Sequence, residues 1–213
     1  MGSADLKEKL CILVDKIVYT QATLTRKWHK NIDFLVDNAD LVIQNVINNH
    51  FMNFKLWHIE DVTRNLDISD KHIADCKREI DFLNKQRTEF YEQIDDNFIL
   101  LLKDFIVNDS SIPFNTESIG SIIDRLSILS LKIYHMNAEK KRRTLAKSKD
   151  NDYKMIVDRL NKLNQQQKDL VSAFKNLITE YINGTKRPIV YKQLKMYNDK
   201  NLNPELYNQN SNM

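Results

Sequence analysis

Glycine, proline and cysteine are nearly missing from this chain: three, three and two residues among 213. Tight loops and hairpins draw on glycine and proline, so a fold of many short strands is excluded and few, long helices are expected. Cys11 and Cys76 make no disulfide framework and lack metal-motif spacing, which points to a reducing, cytoplasmic compartment. No apolar run reaches the length of a membrane span, and residues 10–14 are too short and too charged at their flanks for a signal sequence. There is no Gly-rich phosphate loop, nucleophile elbow or Cys/His zinc pattern. No cofactor is therefore expected, and whether the chain is an enzyme is left open. The net charge of +3 is modest, but it is uneven: from residue 185 on, five basic residues stand against two acidic ones, which accounts for all of it.

What the chain does have is helical periodicity. Ile119, Ile122, Ile123, Leu126, Leu129, Ile133 and Met136 fall at steps of three and four, with Ile128 and Leu131 widening the arc. So wide an apolar arc must be covered on more than one side, which makes 119–136 the centre of a bundle. Similar stripes predict helices over 5–19, 33–64, 70 to about 107, and 152–183, with Ser69 and Thr116 as N-caps and Gly184 as a stop. Residues 20–31 fit no single pattern. The expected fold is all-α, an antiparallel bundle of four to five long helices. Their length is about 30 residues against a norm of roughly 11–12. The bundle spans 4–184, and a mostly non-helical tail, 185–207, packs on it because Val190, Tyr191, Leu194, Met196 and Tyr197 are too apolar to stay solvated. Residues 208–213 are expected to be disordered.

The candidate functional residues are polar groups that break the apolar pattern. Trp57, His58, Glu60, Asp61 and Arg64 gather at the end of the second helix, Arg87 interrupts the seam of the third, and Asp124, Arg125, Lys132 and His135 ride on the central one. In the structural reading, Glu60 pairs with Arg64 and His58 takes a hydrogen bond in the core. In the functional reading, a pocket between the second, third and fourth helices is walled by Trp57, His58, Asp61, Arg87, Asp124 and Arg125, with the arginines holding an anion and His58 or Asp61 carrying a proton. Arg125 is expected to pair with Asp61 or Glu60. No metal site is expected, because inward carboxylates are few and Asp124 and His135 stand about 16 Å apart along their helix. The basic run Lys140–Arg143, with Lys147 and Lys149, reads as a solvated helix end, with nucleic acid (unlikely) or anionic lipid as the alternative. Arg187, Tyr191, Lys192, Lys195 and Tyr197 are the tail's candidates.

Three of these segments resemble one family. Leu-Trp-His-x-Glu-Asp at 56–61, Gly-Ser-Ile-Ile-Asp-Arg-Leu-Ser-Ile-Leu-x-Leu-Lys-Ile-Tyr-His-Met at 120–136 and Tyr-Lys-Gln-Leu-Lys-Met-Tyr-Asn-Asp at 191–199 are similar to motifs of a bacterial domain-of-unknown-function family of short helical proteins. Members of that family are often encoded beside glycosyltransferases and lipopolysaccharide or capsule genes. The resemblance implies a role in surface-polysaccharide assembly. A chain full of packing signals with no recognised catalytic motif reads as an interaction or scaffold protein in that role, with glycosyltransferases, other glycan-assembly proteins or a second copy of the chain as partners. The alternatives are an enzyme or receptor for a phosphorylated or anionic sugar, and a binder of nucleic acid or membrane surface through the basic segments.

Overall fold

The computed structural model describes residues 2–34, 36–107, 109–146, 151–194, 196 and 199–207. Lys147, Lys149, Lys195, Tyr197 and residues 208–213 lie outside them. Five long helices, α1 (Ser3–Trp28), α2 (Leu41–Thr63), α3 (Asp70–Leu102), α4 (Ile119–Leu145) and α5 (Asn151–Ile182), make an all-α fold, with a short α6 (Pro204–Tyr207) in the tail. As the width of its apolar arc requires, α4 packs against all four other long helices. Its Ile119, Ile122, Ile123, Leu126 and Leu131 join Val14, Ile17, Val46, Phe54, Phe98 and Phe174 from its neighbours in one core.

Besides α3 ending at Leu102 rather than near residue 107, three boundaries differ from the sequence reading. First, α1 runs on to Trp28. Ile17, Gln21, Leu24 and Trp28 continue its buried face, and polar Gln21 hides the stripe. Second, α2 begins at Leu41 rather than near residue 33. The side chains of Asn31 and Asn38 accept the backbone N–H groups of Asp33 and Asp40 at 3.1 and 3.0 Å, turning the chain, and Asp40 then caps the helix through Val42 N at 3.0 Å. Third, Ser118, not Thr116, caps α4, accepting the Ser121 N–H at 3.2 Å.

The tail leaves α5 at Gly184, whose positive φ of 66° ends the helix as a glycine can. It then forms a two-residue parallel pairing, β1 (Phe114–Asn115) with β2 (Arg187–Pro188). Arg187 donates from Nε to the Ile112 carbonyl at 3.1 Å and lies 5.2 Å from the Phe114 ring centroid. Farther on, Lys192 bonds the Asp96 carboxylate at 2.8 Å, and Gln193 N–H donates to Glu92 at 2.7 Å. Charge and backbone bonds hold the far part of the tail: of the apolar residues expected to dock, Val190 is half-buried, while Tyr191, Leu194 and Met196 are exposed.

Candidate functional site

The polar candidates separate into two groups that the sequence did not distinguish. The first is a buried network. On α2, Asn49, His50 and Asn53 fall on one face one helical turn apart, and on α4 Asp124, Ser127 and Ser130 do the same, so two polar ladders face each other through the core. Arg87 reaches in from α3 and grips Asp124 with both arms, Nε to Oδ1 at 2.8 Å and Nη2 to Oδ2. Asn53 and Asn49 donate to the same carboxylate at 2.8 and 3.0 Å. Asn53 also donates to Ser127 Oγ at 3.0 Å.

His50 completes this network and is fully buried. A carbonyl can only accept, so the 2.8 Å contact to Gln21 O makes Nε2 the protonated nitrogen. Nδ1 therefore accepts the Ser127 hydroxyl at 2.7 Å. Burial outweighs the Gln21 bond and the Asp124 charge and lowers the His50 pKa from 6.5 to about 3. No solvent reaches Ser127 or His50, so this hydroxyl–imidazole pair is structural. A depressed histidine pKa means the unfolded chain binds the extra proton. Its contribution is therefore complete above pH 6.5 and is lost as pH falls toward 3. We expect urea unfolding to show a loss of about 2 kcal/mol between pH 6.5 and 5 from this residue. His50→Gln should flatten the slope by that amount, and an unchanged slope would mean that His50 is not held neutral.

The second group is a nest of rings where α1, α2 and α4 meet. His29 caps the C-terminus of α1, His58 lies on α2 and His135 on α4. Their ring centroids are 4.9–5.7 Å apart. Tyr134 stacks on His29 at 3.9 Å, and Trp57 lies parallel to His135 at 4.5 Å. His29 Nδ1–H donates to the Thr25 carbonyl at 2.7 Å, which leaves Nε2 with a free lone pair. That Nε2, His135 Nε2 and Trp57 Nε1 are buried with no hydrogen-bond partner. Burial, followed by the neighbouring imidazoles, lowers the His135 pKa to about 4 and also lowers that of His58, while the Asp61 charge opposes both shifts.

Two clefts flank Trp57, which lines both. The one between α2, α3 and α4, about 430 Å³, lies where the sequence placed a pocket and takes in Trp57, Glu60, Asp61, Arg64 and Arg87. His58, Asp124 and Arg125 do not line it. The other, about 600 Å³, opens between α4 and α5 and carries His135 and Trp57 with five basic residues, Lys132, Arg142, Arg143, Arg159 and Lys162, against two acidic ones. Glu139 holds Arg142 and Arg143 at 2.6 and 2.9 Å, so two members of the basic run are paired along their own helix. Lys132, Arg159 and Lys162 have no carboxylate partner among the described residues.

Arg125 corrects the sequence reading: it pairs with Glu117 at 2.6 Å on the exposed face of α4, not with Asp61 or Glu60. Glu60 pairs with Arg64 one turn along the same helix. Sequence reasoning missed His29, Asn49, His50, Asn53 and Ser127. The available signal was polar residues recurring at steps of three and four inside apolar stripes.

Among the described residues, no helix is long and apolar enough to cross a membrane. Comparison with curated proteins and with solved structures finds no match. A family model does match residues 43–190, a stretch that takes in both clefts, His58 and His135 and leaves out α1, and the chain therefore belongs to the DUF4254 family, proteins of unknown function.

Proposed function

We propose that the protein binds an anionic small molecule carrying a ring, a phosphorylated sugar being the class that fits, and that it serves surface-polysaccharide assembly in this capacity. The α4–α5 cleft carries the reading. Its volume of about 600 Å³ lies within the range of small-ligand sites, roughly 300–1,000 Å³. Lys132, Arg159 and Lys162 supply positive charge that no acidic side chain among the described residues neutralises, which suits a phosphate or carboxylate. The stacked Trp57–His135 pair, with Met136, Met155 and Ile156, offers an apolar wall for the body of the ligand. The surface-polysaccharide context rests on the motif resemblance, and the cleft supplies the chemistry that such a role would use.

The test is a thermal-shift and Trp-fluorescence screen of metal-free protein with sugar phosphates, nucleotide sugars, neutral sugars and inorganic phosphate. A ligand at one hundred times its dissociation constant adds about 2.7 kcal/mol of stability. For a chain of this size that is a rise of roughly 5–10 °C. The shift should vanish in Arg159→Gln/Lys162→Gln while the unliganded melting temperature stays put, because both side chains are at the surface. Absence of a shift with every anionic sugar would refute the reading.

A further inference from the structure

We propose that His29, His58 and His135 form a binding site for one divalent transition-metal ion of the zinc type, independent of the anion cleft except for the shared His135. The three imidazoles come from three different helices, and one nitrogen from each lies within 4.8 Å of the others. A tetrahedral ion at about 2.0–2.1 Å from each nitrogen needs them about 3.3 Å apart. The swing of an imidazole about its broad χ2 well covers that difference.

Two features set this cluster apart from a chance gathering of rings. Buried nitrogens are normally hydrogen-bonded, yet both His29 Nε2 and His135 Nε2 lack a partner. His29 is also wired as metal-bound histidines are, with its other N–H given to a backbone carbonyl, Thr25 O at 2.7 Å, fixing the tautomer and aiming the lone pair of Nε2 into the nest. Stacking on Tyr134 holds the His29 ring, and stacking on Trp57 holds that of His135. Three imidazoles leave a tetrahedral ion one position for water or an oxygen of a ligand. His135 borders the α4–α5 cleft, so that position would be reached from there. The sequence showed none of this because each ligand comes from a different helix.

The experiment is titration of chelator-treated full-length protein with Zn²⁺ or Co²⁺ alone, with no anionic ligand added. We expect one equivalent to bind, Co²⁺ to develop the visible bands of a tetrahedral centre, and Zn²⁺ to shift the imidazole ¹⁵N resonances of three of the five histidines, with His50 and His72 unmoved. His29→Gln, His58→Gln and His135→Gln should each weaken binding at least tenfold, while His72→Gln, on the outer face of α3, should not. Should a variant fail to fold, the ¹⁵N assignment on wild-type protein decides alone. Failure to bind stoichiometrically, or resonance shifts confined to other histidines, would overturn the site. Neither outcome depends on the cleft, which is tested without metal.

Discussion

Asp124→Ala is expected to cost about 3–5 kcal/mol of folding stability, the range for removing one partner of a buried ion pair. The Asp124 side chain is 7 % exposed and that of Arg87 26 %. Without the carboxylate, a guanidinium that cannot lose its proton is left half-buried, and the amides of Asn49 and Asn53 each lose one acceptor, Asn49 keeping Arg87 O and Asn53 keeping Ser127 Oγ. The melting temperature should fall by roughly 6–20 °C for a chain of this size. The neighbouring residue supplies the contrast: Arg125→Ala breaks a solvent-facing pair with Glu117 and should cost about 0–1 kcal/mol. Removing both buried partners, as in Arg87→Met/Asp124→Leu, should be less damaging than Asp124→Ala alone, because no charge is stranded. Equal costs for Asp124→Ala and Arg125→Ala in urea unfolding would contradict the network.

Gly120→Ala should destabilise the fold by at least about 2 kcal/mol, against the usual gain of alanine over glycine inside a helix. At Gly120 the backbone of α4 all but touches that of α3. A methyl group there would overlap the Tyr91 carbonyl oxygen, with the carbonyl carbon at 2.9 Å and Asp95 Cγ at 3.0 Å. The obstructing atoms belong mainly to a helix backbone, so no rotamer change relieves them and the helices must part. Parting them also stretches the buried bond from Gly120 N–H to Asp95 Oδ1, 2.6 Å long. Gly2, with open space around it, is the control: Gly2→Ala should leave the unfolding midpoint where it is. A Gly120→Ala protein as stable as wild type would mean that α3 and α4 do not approach so closely.

The helices were legible because their apolar stripes are, and the central role of 119–136 followed from the width of its arc. What misled the reading of the site was angle. Successive residues on a helix differ by about 100°, and the broad arc left both Asp124 and Arg125 plausible as the inward charge. The structure turns Asp124 inward, on the line through Ser127 and Leu131, and sends Arg125 outward with Lys132, seven residues on. The start of α2 was misplaced because the asparagine turns at 31–40 sit among apolar residues that keep helical spacing. Partners across helices were beyond reach: Arg87 with Asp124, and the three histidines, are brought together by packing alone. The polar ladders of α2 and α4 were visible, but as gaps in two stripes rather than as one facing pair.

The position of α1 bears on how the chain is made. The α2–α3 pair is a local hairpin that can close as soon as both helices leave the ribosome. α1 meets α2 early, but most of its partners, on α4 and α5, come much later. Its Gln21 donates to Ile123 O, 102 residues on, and its Asp15 bonds Lys175, 160 residues on. At about 5–20 residues per second, Leu6, Leu10, Val14 and Ile17 stay without their final cover for roughly 5–30 s of synthesis. Translated ahead of the other four long helices, α1 is thus among the last of them to be seated, and its apolar face is where a nascent-chain chaperone would be expected to hold.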